Sequence, residues 1–272
     1  MKKIFISVCS LLPVFLLSGC KEDGLLLNIN PDGSGTAVIR SFMNSAAMNS
    51  MTSGFGGGDA GGAIEGPDPI KEARNEVEVI AAAMGGLTLV SGKEAKNKAG
   101  WPGYVGVYSF ADVNKVRITL NKPDSDAEES DGTDNPEYTV KFTPGSPARL
   151  EINAEIDPKK DEEAAARSDQ EVQMEAKQMQ MQAGMMGPML AGMRSTIMVR
   201  VNGTVTESNA DITSPAGNNT FILADMKLAE ALSDPVVSQM MIETKGAMPD
   251  RSINTKAIKL QNPRAPVVVT FQ

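Results

Sequence analysis

Histidine is absent from all 272 residues. With it go the Ser-His-Asp triad, the Cys-His pair and the imidazole ligands of zinc, copper and iron sites. Cysteine occurs twice, at Cys9 and Cys20, so one disulfide is the most the chain can form. Aromatic residues make up 4% of the composition, leaving few side chains on which a sugar ring could stack. Positive charge is also in short supply: 26 Lys and Arg face 34 Asp and Glu, for a formal charge of −8. Phosphate binding needs a net basic face, so no nucleic-acid partner is expected. No apolar run reaches the ~20 residues of a membrane-crossing helix. What remains is enough chain for one large or two modest domains with a buried core.

The most informative segment comes first. Lys2 and Lys3 make a short positive start, and residues 4–17 form an apolar stretch that closes on Leu17-Ser18-Gly19-Cys20. A basic region, an apolar region and small residues before a cleavage point are the parts of a secretory signal. Because a cysteine follows the small residues directly, residues 1–20 resemble the signal of bacterial lipoproteins with its lipobox. The resemblance implies that residues 1–19 are a signal peptide, and that Cys20 is acylated at its thiol and its new amino group. Several acyl chains on one residue would anchor firmly, since each buried methylene is worth ~0.8 kcal/mol and a single chain is marginal. In lipoproteins of two-membrane bacteria, Lys21 rather than Asp after the cysteine implies the outer membrane, facing the periplasm or the cell surface. Cys9 then leaves with the signal and Cys20 is spent on lipid. Thiol catalysis, thiolate metal sites and redox switching fall away, and losing Lys2 and Lys3 takes the formal charge from −8 to −10.

Beyond a short tether, residues 24–30 and 36–42 read as strands around the turn Pro31-Asp32-Gly33-Ser34-Gly35, completing an N-terminal unit over 20–42. Asn28, Asn30, Asp32 and Gly33 also match the opening of an EF-hand calcium loop. Its twelfth position would be Ile39 instead of a bidentate Glu, and the flanks are strand-like, so the hairpin is expected. Residues 43–66 are a Gly-rich loop without the Lys-Ser/Thr of a phosphate loop. The remainder, 67–272, reads as one domain. Asp68 and Pro69 open a helix that runs through Ile70, Ala73, Val77, Ile80 and Met84 to Gly85-Gly86. Strands are expected at 87–90, 105–110, 116–120, 138–143 and 149–156. A Met-rich helical insert occupies 157–193, with a helix from Asp161 to Gln182. Residues 194–201 and 204–206 read as a hairpin about Asn202-Gly203, the strongest such signal in the chain. A strand at 218–223, a helix at 227–244 divisible at Pro235, a loop at 245–263 and a strand at 265–271 complete the pattern. The class is α+β, mainly antiparallel sheet from hairpins with two or three helices.

Few residues suggest chemistry. Met181, Met185, Met189 and Met193 recur at i, i+4 and would share a helix face as Cu(I) thioether ligands, although Gly184, Gly187 and Pro188 are expected to break the helix. An adaptable apolar patch is the ordinary use of methionine. The acidic stretch 121–137 is oxygen-rich but lacks the spacing of a calcium loop. An envelope hydrolase using two carboxylates, or a Ser-Lys pair such as Ser91 and Lys93, is chemically allowed without a motif to support it. No catalytic residue and no cofactor are therefore assigned.

Residues 25–37 and 199–221 carry a strand, a Gly-containing turn, an Asn-Ala pair and a later Asn-Thr strand. In these places the chain resembles the LppM-type domain of bacterial lipoproteins. That resemblance implies a lipid-anchored α+β domain that binds lipid-like ligands or other envelope components. The combined expectation is a non-catalytic, membrane-anchored module for a protein partner or lipid-like ligand.

Overall fold

In the computed structural model, residues 21–46, 68–122, 136–245 and 247–272 are described. The lipobox, most of the Gly-rich loop and most of the acidic stretch lie outside them. Strand β1 (Lys21–Ile29) alternates from Leu25 onward: Leu25, Leu27 and Ile29 point inward and are almost wholly buried. It begins at the residue after Cys20, so the expected tether is absent. The reason is pairing, since β2 (Gly35–Met43) runs antiparallel to it from Ile29 opposite Gly35 out to Lys21 opposite Met43. Between them Gly33 takes φ +83, and its N–H donates to the Asn30 carbonyl at 2.9 Å. Two side-chain oxygens of the calcium alternative are engaged in other bonds: Asn30 Oδ1 accepts from the Asn202 amide, and Asp32 Oδ1 accepts from both the backbone and the hydroxyl of Ser34.

Helix α1 (Pro69–Met84) starts where expected, with Asp68 accepting from the N–H groups of Ile70 and Lys71. It packs Ala73, Val77, Ile80 and Met84 on β2 and on β4 (Pro102–Phe110). Strand β3 (Thr88–Lys96) pairs with β4 and forms an exposed edge. The strand expected at 116–120 does not form. A single 3₁₀ turn (Val113–Lys115) leads into an irregular run whose bridge to the sheets is Ile118 opposite Tyr138. Val116, Ile118 and Leu120 are buried, and so is Thr119 at 1% exposure, so the apolar alternation marks burial of the run and not sheet pairing.

Strands β5 (Glu137–Thr143) and β6 (Ala148–Glu155) make the expected hairpin. The insert holds two helices, α2 (Pro158–Ala166) and α3 (Asp169–Leu190), split where Ser168 forms a capping box with Glu171. Contrary to expectation, α3 continues through Gly184, Gly187 and Pro188. Pro188 removes the N–H that would donate to the Gly184 carbonyl, and only two residues of helix follow it.

Strand β7 (Arg194–Val201) forms as read, but the Asn202-Gly203 hairpin does not. Its expected partner, β8 (Val205–Ser208), belongs to a different sheet. Gly203 lacks the positive φ of a hairpin turn; it is small because a Cβ would sit 2.6 Å from the Gln272 carbonyl oxygen. The chain crosses between sheets there, with Asn202 N–H on Ile29 and Thr204 N–H on Gln272. Strands β9 (Thr213–Ser214) and β10 (Gly217–Lys227) follow, then α4 (Leu228–Ser233) and α5 (Pro235–Thr244), parted at Asp234 before Pro235. The loop expected at 245–263 contains two short strands, β11 (Ile253–Asn254) and β12 (Ile258–Leu260), and β13 (Val267–Phe271) ends the chain.

The class is α+β. One nine-stranded sheet runs β11-β12-β10-β7-β1-β2-β4-β3, with β9 against β10, and a four-stranded sheet runs β5-β6-β13-β8. Every named pair is antiparallel except β1 with β7. Residues of both sheets and α1 share one apolar core. The Tyr138 hydroxyl joins the sheets by donating to the Leu223 carbonyl at 3.3 Å, and burial raises its pKa.

Candidate functional site

The sheet end where β1 begins gathers segments distant in sequence. Glu22 stands opposite Arg194 in the parallel pair, and Arg194 stands opposite Lys227. The Arg194 guanidinium grips Asp225 with two hydrogen bonds of 2.7 Å. Across the sheet, the β3–β4 loop is tied to β1 because the Asn97 amide donates to the Glu22 carboxylate at 2.8 Å. Asn97 also accepts from the N–H of Ala99 and of Trp101, which closes the loop. The indole of Trp101 then lies against Gly192, in the turn joining α3 to β7, where φ +89 and the close ring both demand glycine. Leu228 N–H donates to the Met193 carbonyl, adding the start of α4 to the cluster. β1, Trp101 and the end of the Met-rich helix thus share one rim.

Just inside it is an ionic centre. Lys21 Nζ donates to Glu76 Oε1 at 2.7 Å and lies 2.8 Å from Asp23 Oδ2; Lys122 Nζ reaches Glu76 Oε2 at 2.8 Å. Glu76 is 5% exposed at its side chain and Asp23 is 14% exposed. Burial works against the Lys21 charge, but Asp23 and Glu76 outweigh it and hold the ammonium above its ordinary pKa. For Asp23 burial dominates and raises the carboxyl despite Lys21. For Glu76 burial also pushes upward, yet Lys21 and Lys122 prevail and lower it. A lysine so held does not serve as a general base. The carboxyls of Asp23 and Glu76 converge, but the ammonium of Lys21 occupies the space between them.

The other candidates are dispersed. Ser91 and Lys93 lie on the exposed edge strand. Met181 is exposed on α3, and Met193 lies beyond the helix end at Leu190, so the i, i+4 series does not run to its fourth member on one helix. Glu137, at the end of the acidic stretch, accepts from Thr119 and Asn121. Among the described residues no cluster of three or more Asp, Glu, His or Cys could hold a metal ion, and no helix is long and apolar enough to cross a membrane.

One surface was invisible in the sequence. On one face of the large sheet, Val107, Val38, Leu26 and Met198 stand side by side in register across four strands, and the row ends at the buried Ile222 on a fifth. A polar row of Ser109, Thr36, Asn28, Arg200 and Thr220 flanks them. Leu26, Val38, Val107 and Met198 are half-buried.

No protein-family model and no curated protein matches the chain. Among solved structures, the folded domain of LppM from Mycobacterium tuberculosis, determined by NMR, is similar over 93% of this chain and 90% of that one, at 12% identity and a TM-score of 0.29.

Proposed function

We propose that this chain is a non-catalytic bacterial envelope lipoprotein, anchored through acyl chains on Cys20 and serving as a binding or assembly module. The observation that carries the reading is Leu17-Ser18-Gly19-Cys20 at the end of a signal-like segment, with the first strand of the domain starting at the next residue. Lys21 after the cysteine favours the outer membrane, facing the periplasm or the cell surface. Two further observations support a binding role over a hydrolytic one. The converging carboxyls of Asp23 and Glu76 are bound to lysines instead of lining an open cleft. The half-buried row of Val107, Val38, Leu26 and Met198 offers an apolar strip for a protein partner or lipid-like ligand, flanked by polar side chains.

The test is fractionation of bacteria producing the full chain. Wild type should sediment with membranes and resist extraction by high salt. The Cys20→Ser variant should be recovered in the soluble fraction. Equal membrane retention of the two would refute the anchor.

A further inference from the structure

We infer that the rim around the start of β1 is a membrane-contact face: Trp101, the 191–193 turn and the uncharged end of α3 lie against the lipid headgroups of the bilayer that carries the anchor. This rests on the lipoprotein reading and adds an orientation to it. The partner is lipid, and the argument starts from chain length. Cys20 and Lys21 are adjacent, and consecutive Cα atoms are about 3.8 Å apart. Lys21 is already paired with Met43 in the sheet, so no spacer separates a lipidated Cys20 from rigid structure.

The composition of the rim fits that position. No charged residue occurs between Lys177 and Arg194, a stretch containing Met179, Met181, Met185, Met186, Met189 and Met193. It enters the sheet at β7, whose first residue, Arg194, stands beside Glu22, two positions after Cys20. The single tryptophan packs on the same turn and keeps part of its surface open. Trp is the side chain enriched where apolar and wet surroundings meet. Lys96 and Lys98, exposed in the adjoining strand end and loop, add positive charge toward anionic headgroups. Methionine suits an irregular, deformable boundary because its side chain is flexible and polarisable.

Trp101 reports on the face directly. The mature acylated protein is reconstituted in vesicles of phosphatidylethanolamine and phosphatidylglycerol, with or without bromine on the acyl chains near the headgroup. Beside it runs a variant with a Gly-Ser linker of about twenty residues between Cys20 and Lys21, which spans roughly 25 Å. The inference predicts that both proteins float with the vesicles and that brominated lipid quenches wild-type Trp101 by about two-fold or more, as for an interfacial indole. The linker variant should lose at least half of that quenching. Flotation of wild type with no quenching, or with quenching equal to the linker variant's, overturns the contact face and leaves the anchor standing. Failure of wild type to float overturns both.

Discussion

Glu76 holds two lysines at once, and its surroundings make its loss costly. Replacing it by Gln keeps the shape but leaves Lys21 and Lys122 facing a neutral amide beside a carboxyl that burial already disfavours. Breaking a buried ion pair costs several kcal/mol, and the half-exposed Lys122 recovers part of it, so Glu76→Gln should lower stability by about 2–3 kcal/mol at pH 7. Asp23→Asn should cost clearly less, because the charged form of Asp23 is penalised by burial in the native protein. Urea denaturation compares them, and equal losses would contradict the assignment. The pH dependence separates the two groups further. The Glu76 carboxyl is lowered on folding, so its contribution is complete above the unfolded value and is lost as pH falls through the lower folded one. Asp23 is raised on folding, so its penalty is present at neutral pH and is relieved as pH falls through the raised value. Glu76→Gln should therefore flatten the acid loss of stability seen in the wild type, and Asp23→Asn should steepen it.

At the scale of elements, the first hairpin depends on Gly33. Its φ of +83 suits glycine, and a Cβ there would lie 2.8 Å from the Phe142 ring of β5, in the second sheet. Gly33→Ala should destabilise by at least ~1–2 kcal/mol, the cost of a left-handed residue before the clash is counted. A thermal melt unchanged from wild type would contradict that packing. Pro31-Asp32-Gly33 was legible because local turn chemistry and global packing agree at that position. Asn202-Gly203 has the local pattern of a hairpin, but its glycine serves a close approach to Gln272, which a local pattern does not encode. Residues 116–120 show the same limit: Val116, Ile118 and Leu120 are buried, but so is Thr119, and only Ile118 is bridged to a strand. The helix capped by Asp68 is legible at both ends, since its cap, its proline and its terminal glycines are all local signals. The division of the insert has a local signal too, in the capping-box spacing of Ser168 and Glu171.

For the whole molecule, the α+β class followed from the run of hairpin-like strands, while the layout of the sheets did not. The parallel meeting of β1 with β7 joins residues about 170 positions apart, and no periodicity announces it. The same holds for the rim. Cys20 is visible as a motif, but Lys21 with Glu76 and Glu22 with Asn97 are contacts across 55 and 75 positions. The apolar row from Val107 to Ile222 exists only once five strands are in register. Fold and proposed anchor converge on one arrangement, in which a rigid two-sheet domain is joined to lipid without a spacer at the end where its lone tryptophan and its Met-rich helix come together. Mass spectrometry of the purified mature protein tests that arrangement at its origin. The account predicts that the N-terminal peptide begins at Cys20 and carries a thioether-linked diacylglyceryl group and an amide-linked acyl chain. An N-terminus at any other residue, or an unmodified Cys20, would contradict it.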